Sequence, residues 1–238
     1  MTDITPTYRY PTFAKDTIII CGGYGSGKSE VSVNLATMLA RDDSRPVLIA
    51  DLDIINPYFR SREAAKELES IGVKSLLPPG DQVYADLPII IPQIKGAIED
   101  HDGKLILDVG GDDQGARVLS SLADAFTPHN YELLLVLNGN RPFTADVAGA
   151  RKMMNEIEAA SRLRFTGIIA NTHLIEHTTV ETVLDGLALA KDVSKATKLP
   201  VVFVSATRNV TEKLDLRRID VPVLPLDRSL LKPWERKV

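Results

Sequence analysis

Gly22-Gly23-Tyr24-Gly25-Ser26-Gly27-Lys28-Ser29 decides the fold, because this stretch fits the pattern G-x-x-x-x-G-K-[ST]. An apolar, β-branched run at 17–20 precedes it, as expected for a buried parallel strand. The residues that follow place apolar side chains on one helical face, namely Val31, Leu35, Met38 and Leu39. A strand, a glycine-rich turn and a helix in this order are the context that a phosphate-binding loop requires. The sequence therefore predicts such a loop here, and the alternative is a glycine-rich turn before an ordinary helix.

The residue types in this loop suit phosphate chemistry. Glycines let backbone N–H groups surround phosphate oxygens, and the N-terminus of the following helix adds a favourable dipole. Lys28 is predicted to reach the β- and γ-phosphates, and Ser29 to offer its hydroxyl to Mg²⁺. The predicted nucleotide-binding residues of the loop are Gly23, Tyr24, Gly25, Ser26, Gly27, Lys28, Ser29 and Glu30.

Composition places limits on the class of protein. The chain has 238 residues, 44% of them hydrophobic and 25% charged, which suits one large α/β domain of a soluble protein. A net charge of −4 weighs against a dedicated nucleic-acid-binding role, and a single cysteine excludes an internal disulfide framework. No secretory signal and no bilayer-spanning apolar run is recognisable, so we expect a cytoplasmic protein that does not bind membranes. Residues 1–16 are predicted to form an N-terminal arm, and 17–238 a single nucleotide-binding domain.

Strand and helix patterns alternate along the chain. Later strands are predicted at 47–50, 73–77, 104–108, 131–137, 165–170, 200–204 and 221–226. Helices are predicted at 61–71, 87–100, 116–125, 146–161 and 179–196. In the second of these, Pro88 has to lie in the first turn and Pro92 is expected to distort the interior. Apolar strands separated by helices predict a parallel sheet covered on both faces, with ligands at the carboxyl ends of its strands.

Three aspartates follow predicted strands and are candidates for Mg²⁺ chemistry. Asp108 begins the pattern D-x-x-G, in which the aspartate holds Mg²⁺ through water and the N–H of Gly111 meets the γ-phosphate. Asp51 and Asp53 lie two residues apart, so an extended chain points both to one face. One of the pair is predicted to assist Mg²⁺ and the other to orient or activate the attacking water. The alternatives are a loop-capping aspartate at 108 and a charged loop start at 51–53.

Taken together, the segments 22–29, 47–53 and 105–108 resemble the MinD/ParA branch of P-loop ATPases, with its nitrogenase-iron-protein and CobQ/CobB relatives. The order of elements is similar over about residues 17–226. This resemblance implies a three-layer α/β fold with a mostly parallel sheet of seven or eight strands. It also implies ATP with Mg²⁺ and, in many members, an ATP-dependent homodimer.

The resemblance assigns roles to individual residues. It implies that Lys28 and Asp53 are catalytic, with Asp53 positioning the hydrolytic water. It implies that Ser29 and Asp108 hold the metal, and Asp51, from the pair described above, completes the predicted metal site. It further implies that Asn171 reaches the adenine edge, while the loop Pro225-Leu226-Asp227 closes over the base.

Two positions depart from the family pattern. Gly23 stands where the family has a signature lysine, and Val109-Gly110-Gly111 stands where it usually has prolines. Stimulation of hydrolysis across a dimer through that lysine is therefore in question. Arg60, Arg62 and Arg141 are candidates for a replacement cation, although each is otherwise a solvated surface arginine.

The segment after residue 170 bears on the choice of base and of metal. Asn171-Thr172-His173-Leu174 lacks the lysine and the aspartate of the guanine-reading pattern N-K-x-D, which favours adenine. His173-Leu174-Ile175-Glu176-His177 matches the zinc-peptidase pattern H-x-x-E-H. That pattern requires a helix, whereas this segment follows a strand, so zinc is not expected.

The leading interpretation is a Mg²⁺-dependent ATP-binding protein with slow ATPase activity that acts as a nucleotide switch. ATP would order the loops at 51–62 and 108–117 and alter contacts with a second copy or an unknown protein partner. One alternative is an enzyme of the CobB/dethiobiotin-synthetase kind, which uses ATP to activate a small carboxylate bound near Asp112 and Asp113. Another is a DNA-partition or metal-loading ATPase. The acidic balance and the absence of C-x-x-C weigh against this last reading.

Overall fold

Apolar strands form a parallel sheet at the centre of the molecule. The computed structural model describes residues 8–42, 45–52, 65–76, 91–111 and 113–228. Its strands are β1 Thr17–Cys21, β2 Val47–Leu52, β3 Val73–Leu76, β4 Lys104–Val109, β5 Tyr131–Leu137, β6 Gly167–Ala170, β7 Val201–Thr207 and β8 Val223–Leu226. They pair in the order β3-β2-β4-β1-β5-β6-β7-β8, and every pairing is parallel. The predicted α/β fold with a parallel sheet of seven or eight strands is confirmed.

Helices cover both faces of this sheet. They are α1 Lys28–Asp42, α2 Ala65–Ser70, α3 Ile91–Glu99, α4 Asp113–Ser121, α5 Val147–Ser161, α6 Val180–Thr197 and the short α7 Arg208–Thr211. Successive side chains of a strand point to opposite faces, so Ile18 and Ile20 pack with α1 and α2, whereas Ile19 packs with α3 to α6. The result is the predicted three-layer arrangement.

Local chemistry fixes the ends of the later helices close to the predicted positions. Asp146 precedes α5 and accepts a hydrogen bond from the backbone N–H of Gly149 at 2.7 Å. Thr179 precedes α6 and forms a reciprocal capping box with Thr182. Several predicted boundaries were wrong. Strand β6 begins at Gly167 rather than at 165, β8 begins at Val223 rather than at 221, and β7 ends at Thr207 rather than at 204. The helix predicted at 116–125 begins earlier, at Asp113, and is divided into α4 and a separate 3-10 turn, Ala123–Ala125.

Pro92 does not distort the interior of α3 as predicted. It is the second residue of the described helix, where a backbone N–H would have no partner within the helix. Pro88 lies outside the described residues. Among the described helices, none is both long enough and apolar enough to cross a bilayer.

The segment before β1 lies along the amino-terminal edge of the sheet, opposite the predicted site. The carbonyl of Arg9 accepts a hydrogen bond from the N–H of Val223 at 2.9 Å. At the start of β4, Lys104 forms an ion pair with Asp16 at 2.9 Å. The division of the chain into an arm at 1–16 and a domain at 17–238 stays a prediction, and residues 1–7 and 229–238 lie outside the described residues.

Candidate functional site

The carboxyl edge of the sheet brings the loops after β1, β4 and β5 together. Because β1 lies between β4 and β5, the loop that leaves β1 is flanked by the loops that leave its two neighbours. The chain turns to opposite sides of the sheet at this point, which is where open α/β sheets bind ligands. The site is therefore centred on the segment 22–29.

This segment is a tight loop that continues into α1. The N–H of Ser26 donates to the carbonyl of Gly23 at 3.1 Å, and the N–H of Val31 donates to that of Gly27 at 3.0 Å. Lys28 and Ser29 are the first residues of α1, and both are buried. Together with Gly25, Gly27 and Glu30 they line one wall of a cavity of about 470 Å³.

Gly111 allows the loop after β4 to approach the loop after β1. A Cβ atom at this position would overlap the carbonyl oxygen of Gly22 and lie 2.8 Å from the backbone nitrogen of Gly23. Only a residue without a side chain permits this approach. The D-x-x-G pattern therefore brings Gly111 to the phosphate-binding loop, although Gly111 does not itself line the cavity.

Asp51 and Asp108 lie opposite each other on neighbouring strands. Their Cα atoms are partners in the pairing of β2 with β4, and both residues are at most 4% exposed. The adjacent Ile49 and Ile106 pack on the face that α1 covers, so the alternation of side chains places both carboxyl groups on that face too. Two buried carboxyl groups thus lie beside the N-terminus of the helix that begins with Lys28 and Ser29.

Asn171 connects the phosphate-binding loop to β7. Its Nδ2 donates to the carbonyl of Ser26 at 2.7 Å, and its Oδ1 accepts from the hydroxyl of Ser205 at 2.9 Å. The side chain is almost fully buried and also borders the cavity. Asn171 therefore positions the loop, and its predicted contact with adenine stays a prediction.

The end of β8 is attached to α1. The N–H of Asp227 donates to Oδ1 of Asn34 at 2.7 Å, and Nδ2 of Asn34 donates back to the carbonyl of Asp227 at 2.9 Å. The carboxylate of Asp227 accepts two hydrogen bonds from Arg208, at 2.8 and 2.6 Å, which hold the pKa of Asp227 below its usual value. The predicted base-closing segment is thus held against the cavity at two points.

His173 borders the cavity close to the loop. Burial and, to a smaller extent, the charge of Arg141 lower the pKa of its imidazole. Nδ1 accepts a hydrogen bond from the N–H of Ile175 at 3.4 Å. A neutral imidazole is therefore favoured beside the loop. The H-x-x-E-H pattern ends in a single 3-10 turn, Ile175–His177, and within the described ranges no three His, Cys, Asp or Glu residues are grouped to hold a metal ion.

The predicted site residues divide into three groups. Those that line the cavity are Gly25, Gly27, Lys28, Ser29, Glu30, Asn171, Leu226 and Asp227. Those nearby that do not line it are Gly23, Tyr24, Ser26, Asp51, Asp108, Gly111 and Pro225. Asp53 lies outside the described residues, as do Arg60, Arg62 and Asp112.

Sequence reasoning missed much of the far wall of the cavity. This wall includes Ala206, Thr207, Arg208 and Asn209 at the end of β7, with Arg228 after β8 and Glu176 and Thr178 before α6. Arg228 and Glu176 form an ion pair at 2.8 Å. The rule that pointed to Asn171, a polar residue at the carboxyl end of a strand, applies equally to Thr207 and Arg208.

Comparisons with known proteins bear on the fold. No family model matches the sequence, and no curated protein matches it at a significant level. The cell division protein FtsY from Thermotoga maritima has a TM-score of 0.56 at 17% identity, over 88% of this chain and 68% of that chain. FtsY from Mycoplasma mycoides has a TM-score of 0.54 at 19% identity, over 89% and 67%.

A third structure is the signal recognition particle receptor FtsY from Elizabethkingia anophelis in complex with GDP. Its TM-score is 0.50 at 18% identity, over 89% of this chain and 62% of that chain. The fold is that of a P-loop NTPase. At these identities the likeness shows the fold alone, and the resemblance to the MinD/ParA branch stays a prediction.

Proposed function

We propose that this protein binds a nucleotide together with Mg²⁺, hydrolyses ATP slowly and acts as a nucleotide switch. The observation that carries the proposal is the loop between β1 and α1, where Lys28 and Ser29 line a cavity of about 470 Å³ at the carboxyl edge of the sheet. Backbone N–H groups of such a loop, the dipole of α1 and the ammonium group of Lys28 all favour a phosphate chain.

The acidic residues of the site suit Mg²⁺. Two buried carboxyl groups on opposed positions repel each other, and a divalent cation near them offsets that cost. Ser29, Asp51 and Asp108 supply the oxygen donors that Mg²⁺ prefers. When bound, Mg²⁺ would neutralise charge on the phosphates. The proposed role of Asp53, outside the described residues, is to orient water.

Adenine is the proposed base. Reading guanine requires a carboxylate that accepts from its N1–H and amino group, and the segment 171–174 contains none. The carboxylate of Asp227, at the end of β8, is already engaged by Arg208. One structural neighbour is in complex with GDP, so guanine nucleotides are the other class to test.

A second copy of the chain is the proposed partner of the switch. Tyr24 and Phe143 are about three-quarters exposed, at 75% and 76%, and Leu174 is also exposed. Tyr24 and Leu174 are next in the chain to Gly25 and His173, and Phe143 is two residues from Arg141; these three neighbours border the cavity. Nucleotide binding and the burial of this apolar rim in a dimer would then be coupled. A cytoplasmic location remains part of the proposal.

A melting screen with ATP, ADP, GTP and GDP, each with Mg²⁺ or with EDTA, tests the proposal. We expect ATP and ADP with Mg²⁺ to raise the melting temperature most, since a ligand at a hundred times its Kd stabilises a protein by about 2.7 kcal/mol. Slow phosphate release from Mg·ATP should accompany the shift. If no nucleotide changes the melting temperature, the proposal is wrong. If only GTP and GDP change it, the proposed preference for adenine is wrong.

A further inference from the structure

Arg141 lies in a turn after β5 whose backbone is fixed on both sides. The carbonyl of Asn138 accepts from the N–H of Arg141 at 3.1 Å and from the hydroxyl of Thr144 at 2.7 Å. The N–H of Thr144 donates in turn to the carbonyl of Arg141 at 3.0 Å. Because Asn138 and Thr144 are both buried, this turn holds Arg141 in one place next to the loop after β1.

The side chain of Arg141 packs on Gly25. Its Nε donates to the carbonyl of Gly25 at 2.7 Å. A Cβ atom at Gly25 would lie 2.9 Å from both Cζ and Nε of the guanidinium, and the φ of Gly25 is +71°. The guanidinium therefore occupies the space that any other residue at 25 would fill with its own side chain.

The anchoring bond leaves most of the donor capacity of Arg141 unused. A guanidinium has five N–H donors, of which the bond to Gly25 uses one. Within the part of the chain that the structure describes, the bond to Gly25 is the one hydrogen bond that the Arg141 side chain donates, and no carboxylate pairs with it. A half-buried guanidinium with unused donors can form charge-assisted hydrogen bonds with an anion. Arg141 also lines the cavity, so the anion would come from there.

We infer that Arg141 is a second phosphate-contacting cation, supplied by the chain to its own nucleotide. Between residues 22 and 29 the loop has one cation, Lys28. The terminal nitrogens of a guanidinium match two phosphate oxygens, and the bond to Gly25 positions them before the ligand arrives. Of the three arginines considered above, Arg60 and Arg62 lie outside the described residues, and the structure places Arg141 at the loop. The inference rests on the proposed function.

The competing role for Arg141 is that of a structural brace, in which it only stabilises the loop through its bond to Gly25 and its charge has no function. Two substitutions separate the roles: Arg141→Gln removes the charge and retains an N–H donor, whereas Arg141→Lys retains the charge. Arg151→Gln is the matched control, because Arg151 is exposed on α5. Lys28→Ala tests whether the loop at 22–29 binds phosphate at all.

Titration calorimetry with Mg·ATP, and in parallel with Mg·GTP, is combined with melting temperatures of the nucleotide-free proteins. We expect Arg141→Gln to weaken binding of the preferred nucleotide about tenfold or more, as for a lost charge-assisted contact. Arg141→Lys should recover part of this loss, and without nucleotide both variants should melt at the temperature of the wild type. Affinity should also depend less on salt in Arg141→Gln than in the wild type.

Three outcomes would overturn the inference. If Lys28→Ala abolishes binding while Arg141→Gln binds as tightly as Arg151→Gln, Arg141 contacts no phosphate, and the proposed function stands. If the Gln and Lys variants lose affinity equally and are equally destabilised without nucleotide, Arg141 is a brace. If the wild type binds neither nucleotide, the proposed function and the inference fall together.

Discussion

Individual side chains at this site both position the phosphate-binding loop and line the cavity. Asn171 is the clearest case, because its amide bonds Ser26 in the loop and Ser205 in β7. A contact between Asn171 and the base would therefore come in addition to the two hydrogen bonds that already position the loop. Arg141 similarly uses Nε on the loop carbonyl of Gly25 and also lines the cavity. The geometry of the loop therefore depends on residues more than a hundred positions away in the chain.

His173 gives a prediction about pH. Burial, and then the charge of Arg141, lower its pKa below the ordinary value of 6.5, so near and below that pH the unfolded chain binds more protons than the folded chain. The free energy of unfolding should therefore fall as pH decreases below about 6.5. His173→Gln removes this contribution and should flatten the fall between about pH 7.5 and about pH 5, measured by urea unfolding.

The exposed His129 provides the control for this measurement. His129→Gln is the matched substitution at an exposed imidazole before β5, and its pH profile is compared with that of His173→Gln. An equally steep fall in His173→Gln would show that other groups cause the pH dependence.

At the site, a side-chain amide connects two secondary-structure elements by bonding to the backbone of one of them. Asn34 on α1 forms two hydrogen bonds with the backbone of Asp227, just after β8. This arrangement fixes the edge strand of the sheet to the helix that begins at the phosphate-binding loop. The proposed base-closing segment and the phosphate-binding segment are thereby connected through one amide group.

Asn34→Ala should separate these two elements. It removes two part-buried hydrogen bonds to the backbone of Asp227, which should lower the free energy of unfolding by about 1–3 kcal/mol. Binding of Mg·ATP should weaken as well, because the segment 225–227 is no longer held in place. Urea unfolding and calorimetry measure the two effects.

Thr37→Ala is the matched control for that experiment, since Thr37 lies one turn further along α1 and donates only within its own helix. Losses in Asn34→Ala that do not exceed those of Thr37→Ala would show that the contact with Asp227 contributes little.

The elements themselves follow closely from the sequence, and the contacts between loops do not. Apolar, β-branched runs and the glycine-rich pattern predicted β1, α1 and the edge at which ligands bind, because these depend on neighbouring residues alone. Arg141 contacts Gly25 only because β5 lies next to β1, and a single sequence does not show strand order. The same limit explains Arg208, whose partner Asp227 follows a different strand. The start of β6 was placed two residues early because pairing with β5 begins at Gly167.

At the scale of the whole molecule, the apolar side chains around the cavity predict a nucleotide-dependent dimer. Phe143→Ser should weaken that dimer, because it removes an exposed aromatic side chain close to Arg141. Light scattering should show a higher molar mass for the wild type with Mg·ATP than with Mg·ADP, and a smaller difference for the variant.

Ile71→Ser is the control for the dimer. Ile71 is also exposed but precedes β3, at the amino-terminal edge of the sheet and so away from the cavity. A molar mass that is independent of nucleotide, or that changes equally in both variants, would remove the proposed interface.

Binding of Mg·ATP to the wild type, Lys28→Ala and the exposed control Lys152→Ala, measured by calorimetry, tests the central claim most directly. The account predicts that the wild type and Lys152→Ala bind alike. Lys28→Ala should lose about tenfold or more in affinity, because it removes a charge-assisted contact with phosphate. Undiminished binding of Mg·ATP to Lys28→Ala would contradict the assignment of 22–29 as the phosphate-binding loop.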